Sequence, residues 1–336
     1  MPLNLTAGAD DNGRRLDRIL RKALPDLPLS AIYRLLRQGG VLVNGEAAGQ
    51  SQRIKAGDKL SIEHKMASPT PHSPFLTPHS PLPADSILFE GSGLLVLNKP
   101  SGIVVHGRGS LEDQVRSYLG PKLKHSLSFR SGPLHRLDKM SSGLIVFSSS
   151  LDGARFFSVL MRERRIKKFY LAIVEGVINE ACLWEDELLR DRTEEKTFQT
   201  FPGALGILGA SKKAITRIRP LASNTGSTLI LAEIETGRTH QIRAQAAAHS
   251  HPLLGDIKYG GRRTEGGFLL HAWRMEFPDG LEFPGGKELP HNLEAPLPER
   301  FQKAVESGFP ISIDISSARY LSLRQCISEM PSRISK

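Results

Sequence analysis

The chain has 336 residues, 39% hydrophobic and 24% charged, an ordinary globular balance and enough length for two units with buried cores. No run is apolar and long enough to span a bilayer, and Met1-Pro2-Leu3-Asn4-Leu5 lacks the basic-then-apolar pattern of a leader, so insertion and export are not expected. The net charge of +10 points to a polyanionic partner, nucleic acid ahead of an anionic membrane surface, and two distant cysteines, Cys182 and Cys326, fit a reducing cytoplasm and exclude a cysteine-held zinc.

Residues 11–66 read as a small module. Leu16, Ile19, Leu20, Ala23 and Leu24 follow helical spacing up to Pro25, with Arg14, Arg18, Arg21 and Lys22 on the other face. Ser30 is the expected N-cap of a second helix carrying Ile32, Leu35 and Leu36 inside and Arg34 and Arg37 outside, ended by Gly39-Gly40. Val41 to Val43 reads as a strand entering an Asn44-Gly45 hairpin turn, and Lys55 to Ile62 supplies a last turn and strand. Eleven Lys/Arg against six Asp/Glu leave the module at +5. Two short helices, both basic outside, followed by Val-Asn-Gly and Gly-Asp, resemble the S4 RNA-binding domain. The resemblance implies that Arg14, Arg18, Arg34 and Arg37 contact phosphates, giving affinity and salt dependence rather than sequence reading.

Residues 67–86 read as a linker with six prolines and a repeat, Thr70-Pro71-His72-Ser73-Pro74 recurring from Thr77 to Pro81. Proline removes backbone donors and disfavours helix ahead of it, so an extended tether is expected.

Residues 87–305 read as one α+β unit. Leu94 to Leu97 is a short buried strand closed by Asn98-Lys99-Pro100-Ser101-Gly102. In His135-Arg136-Leu137-Asp138-Lys139-Met140-Ser141-Ser142-Gly143 a carboxylate stands between two cations on a tight loop, ahead of the apolar strand Leu144 to Phe147. Alone, such a group is usually a surface ion pair. On a rigid loop it is also how a protein offers an oxygen nucleophile to a polyanion, since nearby positive charge favours the ionised form. Phe156, Phe157, Leu160 and Met161 form a helix face running into Arg162, Arg164, Arg165, Lys167 and Lys168. Strands are expected over 169–177 and 227–235, with a helix beginning near Thr239, while residues 306–336 form a tail without readable chemistry.

Lys168-Phe169-Tyr170-Leu171-Ala172, Gly237-Arg238-Thr239-His240-Gln241-Ile242-Arg243 and Gly255-Asp256-Ile257-Lys258-Tyr259-Gly260 complete the set. With the Asp138 and Lys99 segments, in this order, they resemble the RluA family of RNA pseudouridine synthases over about residues 11–66 and 87–295. Two departures are mild: Ser141 stands where the family usually has Thr, and the linker is long. The resemblance implies a mixed, largely antiparallel sheet with flanking helices and loops, preceded by the small α+β S4-like domain. It implies that Asp138 is the nucleophile, adding to the uridine at base or sugar carbon. Arg243 then pairs with Asp138, Tyr170 is the ring on which uracil stacks, and Ile242 lines the pocket floor. Arg136, two residues from Asp138, enters the stack in place of the extruded nucleotide. No metal or cofactor is expected, because the carboxylate does the covalent work and every atom of uridine is kept.

Other signals are set aside. His240, His249 and His251 have no acid or cysteine at ligand spacing to complete a zinc set. Gly107-Arg108-Gly109-Ser110 lacks the ending of a phosphate-cradling loop. Lys168 shows no sign of desolvation that a Schiff base would need. The expected substrate is RNA, large-subunit ribosomal RNA or a pre-ribosomal particle ahead of transfer RNA, met by a cytoplasmic monomer with no obligate protein partner and no membrane. A non-catalytic RNA-binding assembly factor and a hydrolase releasing uracil are the competing readings.

Overall fold

The computed structural model describes residues 2–24, 27–63, 81–123, 126–191, 196–200, 205–206, 209–281 and 289–309. Most of the expected linker, residues 67–80, and all of the tail beyond 309 lie outside them.

The first unit opens with β1 (Leu3–Thr6), followed by α1 (Leu16–Ala23), α2 (Leu29–Arg37), β2 (Val41–Val43), β3 (Glu46–Ala47) and β4 (Lys59–Ile62). The strands form an antiparallel sheet in the order β1-β4-β2-β3. Its core follows the helical spacing: Leu16, Ile19, Leu20, Ile32 and Leu36 pack on Val41, Val43, Leu60 and Ile62. Asn44 and Gly45 both take positive φ, as the expected two-residue hairpin turn requires. The second helix starts two residues earlier than expected. Pro28, whose fixed φ suits a helix entrance, is its N-cap, and Ser30 lies in the first turn.

The second unit is α+β: β5 (Ile87–Gly91), β6 (Leu94–Lys99), α3 (Leu111–Leu119), β7 (Ser142–Ser148), α4 (Leu151–Arg162), β8 (Lys167–Glu175), β9 (Cys182–Asp191), β10 (Lys196–Thr200), the small hairpin β11 (Leu205–Gly206) and β12 (Gly209–Ala210), β13 (Lys212–Ser223), β14 (Ser227–Ile234), α5 (Gln241–Ala248), β15 (Leu270–Glu276), β16 (Asn292–Glu294) and α6 (Glu299–Gly308). It begins earlier than expected, because Leu82 is packed into its core.

A ten-stranded sheet runs β10-β9-β13-β14-β8-β15-β7-β6-β5, with β16 added to β15. Its pairings are antiparallel except β7 with β15. At that parallel junction Gly143 has φ +105°, and a Cβ there would stand 2.2 Å from the Ala272 carbonyl oxygen, so only glycine lets the strands meet. One face packs Leu97, Ile145, Phe157, Ile230 and Ala246 into the main core, and the other lays Phe169, Leu231 and Trp273 against Phe301 and Val305 of α6. Strand β7 is buried along its whole length, so the loop feeding it starts from a fixed base.

Candidate active site

The approach to Asp138 is pinned to β7. Pro133 bridges Phe147, the Leu134 amide donates to the Val146 carbonyl (2.8 Å), and the Val146 amide donates to His135 Nε2 (3.1 Å). Burial, and then the Lys168 charge, push His135 down to about 3, so this ring nitrogen is an acceptor at neutral pH. The chain turns at Asp138, whose carbonyl accepts from the Ser141 amide (3.1 Å).

The loop after β6 clamps the other side of the turn, which gives Asn98-Lys99-Pro100-Ser101-Gly102 its task. Fully buried Lys99 donates from Nζ to the carbonyls of Pro100 (2.9 Å), Ile103 (2.8 Å) and Lys139 (3.1 Å). The Gly102 amide also donates to Lys139 O (2.9 Å), and Ser101 Oγ to Met140 O (2.6 Å). Burial lowers the Lys99 ammonium to about 8 against the opposing pull of Asp138.

The Asp138 side chain, 15% exposed, accepts at Oδ2 from Arg243 Nη1 (2.9 Å). The same guanidinium donates from Nε and Nη2 to the two oxygens of Asp256, at 2.6 and 2.8 Å. It lies over the rings of Phe268 (4.4 Å) and Tyr259 (4.9 Å). Burial opposes the Arg243 charge, and the Asp256 and Asp138 carboxylates outweigh it, so its pKa is raised. Asp256 is 2% exposed and follows Gly255, whose φ of +92° and contact with Gly267 admit no side chain. The Gly-Asp turn thus serves the guanidinium.

His240 takes a left-handed conformation (φ 54°) as N-cap of α5, which begins two residues later than expected. Its Nδ1 faces the Tyr259 hydroxyl at 2.9 Å and Arg190 Nη1 at 3.5 Å. That hydroxyl already accepts from the Thr197 amide (2.8 Å), so its proton goes to Nδ1. Nε2 then carries the ring proton, and it lies 3.7 Å from Asp138 Oδ1. Burial, only partly offset by Asp138, takes His240 down to about 4, so it meets the carboxylate as a neutral donor.

Asp138, His240 and Arg243 line a cleft of about 440 Å³ with Val104, Arg136, Lys139, Met140, Lys258 and Phe268, and Asp138 is the only acid among its described lining residues. Arg136 is exposed and lines this cleft together with Asp138. Tyr170 is buried beside Asp138, whose charge adds to burial in holding the phenol well above its usual range, but its ring does not line the cleft. Ile242 is buried in the main core next to Arg243 in sequence and is not among the described residues that line the cleft. Lys168 corrects an expectation. It is buried and pushed down to about 8, first by burial and then by Arg164. On the first unit Arg18, Arg34 and Arg37 are exposed and Arg14 is half-buried. Lys99, Asp256, His240 and Tyr259 were missed as individual site residues, although all four stand in motifs already singled out; glycines near them in those motifs were the available signal.

One carboxylate fixed by a guanidinium in an otherwise cationic cleft, beside a small basic two-helix unit, defines an enzyme of nucleic acid. Residues 93–248 match the RNA pseudouridylate synthase family and residues 14–60 the S4 domain. The proteins named ribosomal large subunit pseudouridine synthase C from Vibrio cholerae serotype O1 and Escherichia coli (strain K12) are 31% and 32% identical over 281 and 287 residues, each covering 80% of this chain and 86% of the relative. Among solved structures, human RNA pseudouridylate synthase domain containing 4 shares the fold, with TM-score 0.54 at 24% identity over 66% of this chain and 92% of that one. The chain belongs to the RluA family of RNA pseudouridine synthases and carries an S4 domain. It is an isomerase that converts uridine in RNA to pseudouridine.

Proposed function

We propose that this enzyme modifies a uridine of large-subunit ribosomal RNA with Asp138 as its nucleophile. One observation carries the chemistry: Arg243 holds Asp138 through Oδ2, leaving Oδ1 in the cleft with only the neutral N–H of His240 near it among the described residues. Support for the RNA class comes from the names of the Vibrio and Escherichia relatives and their coverage of four fifths of the chain.

The uridine leaves its stack, Arg136 takes the vacated place, and the base enters the cleft at Asp138, behind which Tyr170 is buried. Asp138 adds to the base or to the sugar carbon, and the N1–C1′ bond breaks. The uracil turns, C5 bonds to C1′, the C5 proton passes to a base, and Asp138 is released. The product is an isomer, so no other reactant is consumed, and a closed site keeps water from capturing the detached base. Arg14, Arg18, Arg34 and Arg37 grip phosphates. Because Asp138, Tyr170 and Arg243 all come from one chain, the reading is of a monomer, and two cysteines far apart in sequence support a cytoplasmic setting.

The test maps pseudouridines in ribosomal and transfer RNA from cells with and without the gene, and from cells carrying Asp138→Asn. The expected result is loss of large-subunit sites in both altered strains, with the Asn protein still binding RNA. Loss confined to transfer RNA overturns the substrate; sites surviving in Asp138→Asn overturn the nucleophile.

A further inference from the structure

Asp11 of the S4 unit is fully buried, and every hydrogen-bond donor described for its carboxylate is neutral, with the Arg14 charge within electrostatic reach. One comes from its own unit, the Gly8 amide at 2.8 Å. The rest come from a single loop of the other unit, residues 126–128. The Leu127 amide donates to Oδ2 (2.9 Å), and the Ser128 amide (2.9 Å), Ser128 hydroxyl and Ser126 hydroxyl (3.2 Å) donate to Oδ1. The side chain between those serines, Leu127, is buried in the apolar core of the S4 unit with Leu16, Ile19 and Ile32. One short loop therefore grips the S4 unit twice, by an anion cradle and by an apolar plug. Burial works against the Asp11 charge and the converging donors outweigh it, so its carboxyl sits below the usual range.

Two consequences follow from where the loop lies. Ser128 stands ten residues ahead of Asp138, on the segment that becomes pinned to β7. Arg14, three residues after Asp11, is brought within electrostatic reach of Arg155 on α4.

We propose that Asp11 is a positioning residue: it locks the S4 domain to the catalytic body so that RNA held by the S4 domain, Arg14 included, meets the Asp138 cleft at a fixed offset. This rests on the reading of the chain as a pseudouridine synthase acting on ribosomal RNA. Fixing the offset makes S4 binding and cleft binding one event, and losing it lowers the effective concentration of target at the cleft.

The probe is unmodified large-subunit ribosomal RNA made by transcription, with single-turnover pseudouridine formation and filter binding measured on the full-length protein. Asp11→Ala is expected to raise the half-saturating protein concentration about tenfold while the saturated rate stays within about twofold. Ser126→Ala/Ser128→Ala, which leaves the S4 domain untouched, should reproduce it. Arg14→Ala should weaken the wild type and add nothing to Asp11→Ala, the non-additivity expected of groups acting as a unit. An unchanged half-saturation, an equal fall in saturated rate, or additive losses each overturn the proposal. If the wild type forms no pseudouridine on this RNA, the substrate reading fails, and filter binding alone decides the latch by the same non-additivity.

Discussion

Replacing Asp256 by asparagine isolates what the Gly-Asp turn does. The two side chains have the same shape, so packing is conserved, but only one amide oxygen remains to accept from Arg243, and the amide NH2 confronts the second donor. A charge-assisted hydrogen bond between groups 2% and 6% exposed is lost, and Asp138 is left as the only carboxylate on the guanidinium. The cost in stability is about 2–3 kcal/mol: more than one ordinary hydrogen bond, less than stranding a charge, since Arg243 keeps one partner. Arg243 then swings toward Asp138, engages both its oxygens and moves the attacking atom, for which a displacement of about 1 Å costs about a hundredfold in rate. Urea unfolding followed by Trp184 and Trp273 fluorescence measures the first number. Release of tritium from C5-labelled uridine in RNA at saturating enzyme measures the second. The saturated rate should fall while RNA affinity holds. A variant as stable and as fast as the wild type would show that Asp138 is oriented without the Asp256–Arg243 fork, and the reasoning would be wrong.

Gly143→Ala should destabilise by about 3 kcal/mol or more, because a Cβ 2.2 Å from the Ala272 carbonyl at φ +105° forces β7 and β15 apart; a urea midpoint unchanged from wild type would refute this. Deleting residues 1–63 should weaken RNA binding and flatten its dependence on salt by the loss of Arg14, Arg18, Arg34 and Arg37, with the chemistry retained at high protein concentration; equal slopes of binding against salt would count against phosphate contacts there. His271 is fully buried between Ser142 Oγ and the Ala295 carbonyl, and burial takes it from an ordinary 6.5 to about 4. The unfolded chain therefore takes up this proton first on acidification, so stability falls as pH drops from 6.5 toward 4, by about 2 kcal/mol at pH 5. Urea midpoints at pH 7 and pH 5 read the effect, and His271→Gln should show a shallower fall.

What the sequence by itself determined was local. Helical spacing of Leu16, Ile19 and Leu20, the Asn44-Gly45 turn and the apolar run 144–147 each report burial or backbone conformation within a few residues, and the S4 helices and β7 follow from them. The order of the motifs carried the Asp138–Arg243 pairing through the family resemblance, and the fold joins those two groups across 105 positions. Only the tertiary structure decided which buried charge neutralises which. Nothing near Asp256 in sequence names Arg243 as its partner, the Lys139 carbonyl reaches the Lys99 ammonium from 40 residues away, and Asp11 meets all its donors but Gly8 115 to 117 residues away. Apolar burial is written as a pattern along one element, because any hydrophobic neighbour satisfies it. A buried charge requires a particular partner at hydrogen-bond distance, and that partner exists only once distant segments have been brought together.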